Sequence, residues 1–151
     1  MKRFRFPLKP VAILRTHREV RAREAYGAAV QQHATVQEEV RRIGVRMRAL
    51  EAALSNGRAT NFRAAEAALL LSDYRRERDA EAEADKRLAA AREEVNKARL
   101  AYLEAHRELE IINRLEIKAR DVYRLEINRA EQVELDELAG QKRQQPFSVS
   151  L

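Results

Sequence analysis

Between Ala22 and Leu54 the chain places one residue of a kind at alternating steps of four and three: Ala22, Tyr26, Ala29, His33, Val36, Val40, Ile43, Met47, Leu50, Leu54. All but His33 are apolar or aromatic, and the residues between them are mostly Arg, Glu and Gln. A step averaging 3.5 residues puts them on one narrow stripe of an α-helix, and that stripe must bury against a second helix. Such a chain makes a clamp, a strut or a docking surface more readily than a catalytic pocket.

A second seam follows: Leu70, Tyr74, Glu77, Glu81, Ala84, Leu88, Ala91, Val95, Ala98, Tyr102, Ala105, Leu109 and Ile112. The one good break between the two seams is Ser55-Asn56-Gly57-Arg58-Ala59-Thr60-Asn61. There Asn-Gly can supply the left-handed backbone that ends a helix, and Thr60 or Asn61 can cap the next one. From Phe62 no Gly or Pro occurs until Gly140, a good stop. The sequence therefore predicts an all-α fold: two long helices forming an antiparallel coiled-coil hairpin with a C-terminal helical overhang. Its expected bounds, within a single coiled-coil domain over 1–151, are helix 1 at 8–54, a loop at 55–61, helix 2 at 62–139 and a polar tail at 140–151.

A fold about residue 58 opposes positions whose numbers sum to roughly 116, so Leu8 meets the region of Glu108. Helix 2 then overhangs from Ile111 to Leu138, a stretch still rich in Ile, Leu and Val. That surface calls for the N-terminal arm, another protein, a bend or a second copy. The same register sets His33 near Glu81 and Glu83. Either His33 contacts Glu81 and fixes the register, or it sits at a wet place in the seam. Near the turn, Leu69-Leu70-Leu71 is too wide for one stripe, so at least one Leu, with Tyr74 close by, faces outward.

Charged residues make up 36% of the 151, and there is no Trp or Cys. This composition suits long helices and excludes disulfides and thiolate chemistry. No apolar run approaches a membrane span or the core of a secretory signal, so the sequence predicts a soluble, cytoplasmic protein without membrane insertion. The net charge of +6 is uneven: residues 1–54 carry +7, residues 55–113 carry −1 and residues 114–151 are neutral. Basic excess suits nucleic acid, an anionic surface or an acidic protein. Nucleic-acid binding lacks a reading motif, and Glu19, Glu24, Glu38 and Glu39 interrupt the basic stripe.

Enzyme templates fail in turn. His17, His33 and His106 are far apart, and no His-Glu-x-x-His occurs. Four glycines form neither a phosphate loop nor a dinucleotide fingerprint. The carboxylates fall at helix-surface spacings with mixed partners. No catalytic residue, metal ligand or cofactor is expected.

Two blocks carry a resemblance. Phe4-Arg5-Phe6-Pro7-Leu8-Lys9-Pro10-Val11-Ala12-Ile13-Leu14-Arg15, followed by Glu19, resembles the start of FliJ-type flagellar export proteins. Leu125 to Ala139, with Leu135-Asp136-Glu137-Leu138, resembles that family's C-terminal block. Injectisome stalk proteins are the nearest related group. The resemblance implies a non-enzymatic part of the flagellar type III export apparatus at the cytoplasmic face of the inner membrane. There it would act as a central stalk in the hexameric export ATPase, contact the export gate's membrane protein and escort export chaperones. It implies ATPase binding through Phe4, Phe6, Leu8, Arg15, Arg129, Leu135, Asp136 and Leu138. It implies gate binding near the turn, for which Leu69, Leu70 and Tyr74 are the candidates, although the turn region is Ala-rich and short of aromatics. The alternative is a generic structural or adaptor coiled coil, a dimer, with no ATPase partner.

Overall fold

The computed structural model describes residues 3–143. It contains two helices, α1 (Lys9–Ala59) and α2 (Ala64–Arg143), packed against each other as an antiparallel hairpin. The chain divides into two compact units, one of Met1–His17 with His106–Leu151, the other of Arg18–Ala105.

In the unit of Arg18–Ala105 both stripes face inward. Val36, Ile43, Ala84 and Ala91 are buried, and the other members of the two seams are half-buried. Tyr26 and Tyr102 stack across the seam with centroids 6.1 Å apart and planes 12° from parallel. At the rim Arg87 donates to Glu39 at 2.7 Å and Arg46 to Glu77 at 2.9 Å. These exposed pairs add little energy but report the register.

The turn differs from the expected one. α1 continues through Asn56-Gly57 to Ala59, and no glycine among the described residues has a positive φ. The left-handed residue is Asn61, at φ 53°. The N–H of Phe62 reaches back to the Gly57 carbonyl at 3.2 Å, the six-to-one bond of a Schellman ending. The Phe62 ring lies where a Cβ on Gly57 would project, so Gly57 is needed for close approach rather than for its backbone angle. Neither Thr60 nor Asn61 starts α2. The Thr60 hydroxyl donates to the Asn56 carbonyl, and Glu66 supplies the acid of α2's first turn.

Moving the turn toward the C-terminus shifts every opposition. Arg46 faces Glu77 rather than Leu70, and Glu39 faces Arg87 rather than Glu77. His33 lies between the Tyr26–Tyr102 and Glu39–Arg87 contacts, so its cross-helix neighbours fall between Arg87 and Tyr102, not at Glu81 or Glu83. Gly140 does not stop α2, which runs on to Arg143. An exposed glycine costs a helix only about 1 kcal/mol. The rest of the expected tail, 144–151, lies outside the described residues.

In the unit of the two chain ends, Arg15 donates to the Glu108 carbonyl at 2.9 Å and Lys9 pairs with Glu116 at 3.7 Å. α1 therefore starts opposite Glu116 instead of Glu108. The apolar part of α2 left without α1 is correspondingly shorter than the sequence predicts.

Candidate partner-binding surfaces

The N-terminal arm is built by one turn. The Lys9 N–H donates to the Phe6 carbonyl at 3.2 Å across Pro7-Leu8, with Pro7 at the position where a fixed φ suits a turn. The Ala12 N–H then bonds the Leu8 carbonyl, and Pro10 occupies the first helical turn, where a missing N–H costs nothing. This turn lays residues 3–6 back along α2.

Phe6 is buried with Ala12 and Ile112 in a small core, against which Phe4, Leu109 and Ala119 pack. The Phe4 ring meets Tyr123 at 5.4 Å, and the Arg120 guanidinium stands 5.5 Å above it. At an exposed site such as this a cation over an aromatic face adds about 0.5–1 kcal/mol. Arg120 is also held by Glu116 at 3.0 Å, and Glu116 takes Lys9 on its other oxygen. The arm is thus clasped by Glu116, Ala119, Arg120 and Tyr123. The arm is one of the covers expected for the apolar α2 overhang; the residues that seat it were not singled out, although Glu116, Ala119 and Tyr123 continue the α2 seam at steps of four, three and four from Ile112. Arg5, Lys9, Ile13 and Arg120 border an open cleft beside the arm.

The residues singled out at the two chain ends therefore separate into two kinds. Phe4, Phe6 and Arg15 hold the arm and α1 onto α2. Leu8, Arg129, Leu135, Asp136 and Leu138 are exposed, the last four on the part of α2 beyond Tyr123. In that part Ile127 alone is half-buried among residues 124–141.

The other unit carries the remaining candidates. Leu69 is 66% exposed, Leu70 faces inward and is half-buried, and Leu71 is again exposed. Tyr74 is half-buried, and its hydroxyl donates to Glu51 at 3.0 Å, which raises the phenol's pKa above 10.0.

The flagellar FliJ protein family model matches residues 4–146, from the arm to the far end of α2. The chain belongs to the FliJ family. It is a component of the flagellar export apparatus, in a family of non-enzymatic export proteins. Comparison with curated proteins and with solved structures returns no match. The match begins at Phe4, the residue that closes the arm onto Tyr123, so the clasp of this FliJ-family chain lies within the family's extent. Among the described residues, no helix is long and apolar enough to cross a membrane, and no cluster of three His, Asp or Glu is placed to hold a metal ion.

Proposed function

We propose that this FliJ-family chain is the central stalk of the flagellar export ATPase. The paired chain ends seat in the hexameric ring, and the region of Leu69, Leu70 and Tyr74 contacts the export gate's membrane protein. The observation that carries this reading is the exposed α2 segment beyond Tyr123, which presents Arg129, Leu135, Asp136 and Leu138 next to a clasped basic arm. Exposed aliphatic groups among charges suit a surface that slides or turns within a ring, because long-range attraction does not demand one fixed register. In this reading the protein works in the cytoplasm at the inner membrane and escorts export chaperones.

Co-purification with a flagellar-type export ATPase, followed by hydrolysis assays with and without this chain, tests the proposal. Leu135→Glu with Leu138→Glu weakens binding and removes any stimulation, whereas Leu69→Glu leaves ATPase binding intact and weakens binding to the gate protein. Arg3→Glu with Arg5→Glu lowers affinity and flattens its dependence on salt. Unchanged ATPase affinity in both end variants contradicts the stalk assignment.

A further inference from the structure

One apolar surface in the unit of the chain ends is used neither by the hairpin nor by the arm. Along α2 the residues Ile111, Leu115, Lys118, Val122 and Leu125 recur at steps of four, three, four and three. The four aliphatic members are between 42% and 57% exposed. They form a second 3.5-residue stripe beside the first, which runs through Leu109, Ile112, Glu116, Ala119 and Tyr123 and faces α1 and the arm.

Heptad positions place α1 with it. Taking the inward residues as a and d, the second stripe occupies c and g. Counting α1 from Ala12 and Arg15 puts Val11 at g and Leu14 at c. In an antiparallel pair the g positions of the two helices flank each other, so Val11 and Leu14 lie on the side that carries Leu115 and Ile111. The Lys9–Glu116 and Arg15–Glu108 contacts fix the same level along the helices. Val11 is 37% and Leu14 51% exposed. Two helices thus line one apolar groove, the arrangement that a third helix completes.

We infer that this groove docks an acidic amphipathic helix of a partner protein. The stripe is narrow and carries Lys118 at its centre, which suits a single packed helix better than insertion among lipid chains. The charge selects the sign. Lys118 is the polar member in the middle of the stripe; past Leu125 it continues into Arg129 with Glu126 on its border, and before Ile111 into Glu108, which Arg18, next on α1's stripe after Leu14, offsets. A second copy packed stripe to stripe about its middle would set two Lys118 side chains against each other. A partner helix with Leu or Ile at a and d, and Glu beside them, fits both the groove and Lys118. Leu125 and Arg129 also lie on the α2 segment beyond Tyr123 assigned to the ATPase, but Leu115, Lys118 and Val122, which the test alters, do not, so the two proposals fail separately.

The test uses the full chain and two labelled synthetic peptides of four heptads. Both have Leu at a and d; one has Glu at e and g, the other Lys. Fluorescence anisotropy should show the acidic peptide binding at least about tenfold more tightly than the basic one. Leu115→Gln with Val122→Gln should weaken it at least about tenfold, while helix content and ATPase binding stay as in the parent chain. Lys118→Glu should narrow or reverse the preference between the peptides. Equal binding of the two peptides, no binding of the acidic one, or an unchanged affinity in the Leu115/Val122 variant would overturn the inference. Sedimentation showing a self-association that the Leu115/Val122 substitutions abolish would also overturn it and assign the groove to a second copy. Binding to anionic vesicles that those substitutions abolish, without peptide binding, would overturn it in favour of a membrane surface.

Discussion

The ring of Phe4 lies 5.4 Å from that of Tyr123, tilted by 52°, and so ties the start of the chain to a point far along its second helix. The arm has no regular hydrogen-bond ladder of its own. Its position depends on this ring contact, on the burial of Phe6 and on the turn at Pro7. The arm and the exposed end of α2 are therefore presented together, as the proposed docking in the ATPase ring requires.

Phe6 is the residue on which that presentation most depends. Phe6→Ala removes most of a side chain that is only 8% exposed, from a core too small to relax around the loss. The expected cost is about 3 kcal/mol, a lowering of the melting temperature by several degrees. Hydrogen exchange should quicken in residues 9–17 and 106–123 before it does in residues 26–102, because the unit holding Phe6 is weakened first. A uniform increase in both units would contradict the arm's local role.

The turn offers a test by sign. In the parent chain Gly57→Ala drives a Cβ into the Phe62 ring and displaces it, so the substitution destabilises. In a Phe62→Ala background the obstacle is gone. The same substitution then replaces a helical glycine by the best helix former and stabilises by about 1 kcal/mol. Urea unfolding of the four proteins of this cycle should show the change of sign. An effect of the same sign and size in both backgrounds would remove the proposed contact.

Glu38 accepts hydrogen bonds from Arg41 at 2.8 and 2.7 Å and from Arg42 at 3.3 Å. The Arg41 bonds in particular hold its carboxyl at about 2, well below the ordinary 4.5. A pKa depressed by folding contributes stability that is present above 4.5 and lost as the pH falls toward 2. Glu38→Gln should therefore lower the melting temperature slightly at neutral pH and flatten its pH dependence within that window, the two chains converging as the pH approaches 2. The pair is exposed, so the difference should be small and should shrink in high salt.

Tyr74 gives the opposite sign. Its hydroxyl donates to the Glu51 carboxylate, and that bond, followed by the carboxylate's charge, raises its pKa above 10.0. A pKa raised by folding contributes stability that is present below 10 and lost as the pH climbs through the folded value. Ultraviolet titration of phenolate absorbance in the parent chain and in Glu51→Gln should show one tyrosine moving back toward 10. No movement would mean that the bond does not hold in solution.

Much of the fold is legible in the sequence because a seam is a repeated signal. Twenty of the twenty-three seam residues from Ala22 to Ile112 vote for one period, and the three exceptions, His33, Glu77 and Glu81, do not outvote them. The turn rests on single residues. Asn-Gly is a strong helix stop on local chemistry, yet Asn61 takes the left-handed angle and Gly57 stays helical under the Phe62 ring. That choice depends on a contact five residues away, which no local propensity encodes. A displaced turn moves each cross-helix partner by twice its own shift, so one local misreading displaced His33 from Glu81 and lengthened the expected overhang. The arm was legible as a block of residues but not as a clasp. An irregular segment carries no period, and only the pairing of Lys9 with Glu116 reveals that Phe4 reaches Tyr123.

Every surface assigned here depends on the hairpin register, which spin-label distances measure directly. The chain has no cysteine, so pairs can be introduced without background at 9 and 116, at 26 and 102, and at 46 and 77. The account predicts a short mean distance, below about 25 Å, for all three pairs within single molecules diluted by unlabelled protein, since facing helices pack about 8–10 Å apart. A distance for Lys9 and Glu116 much longer than this, or a short distance that vanishes on dilution, would contradict it.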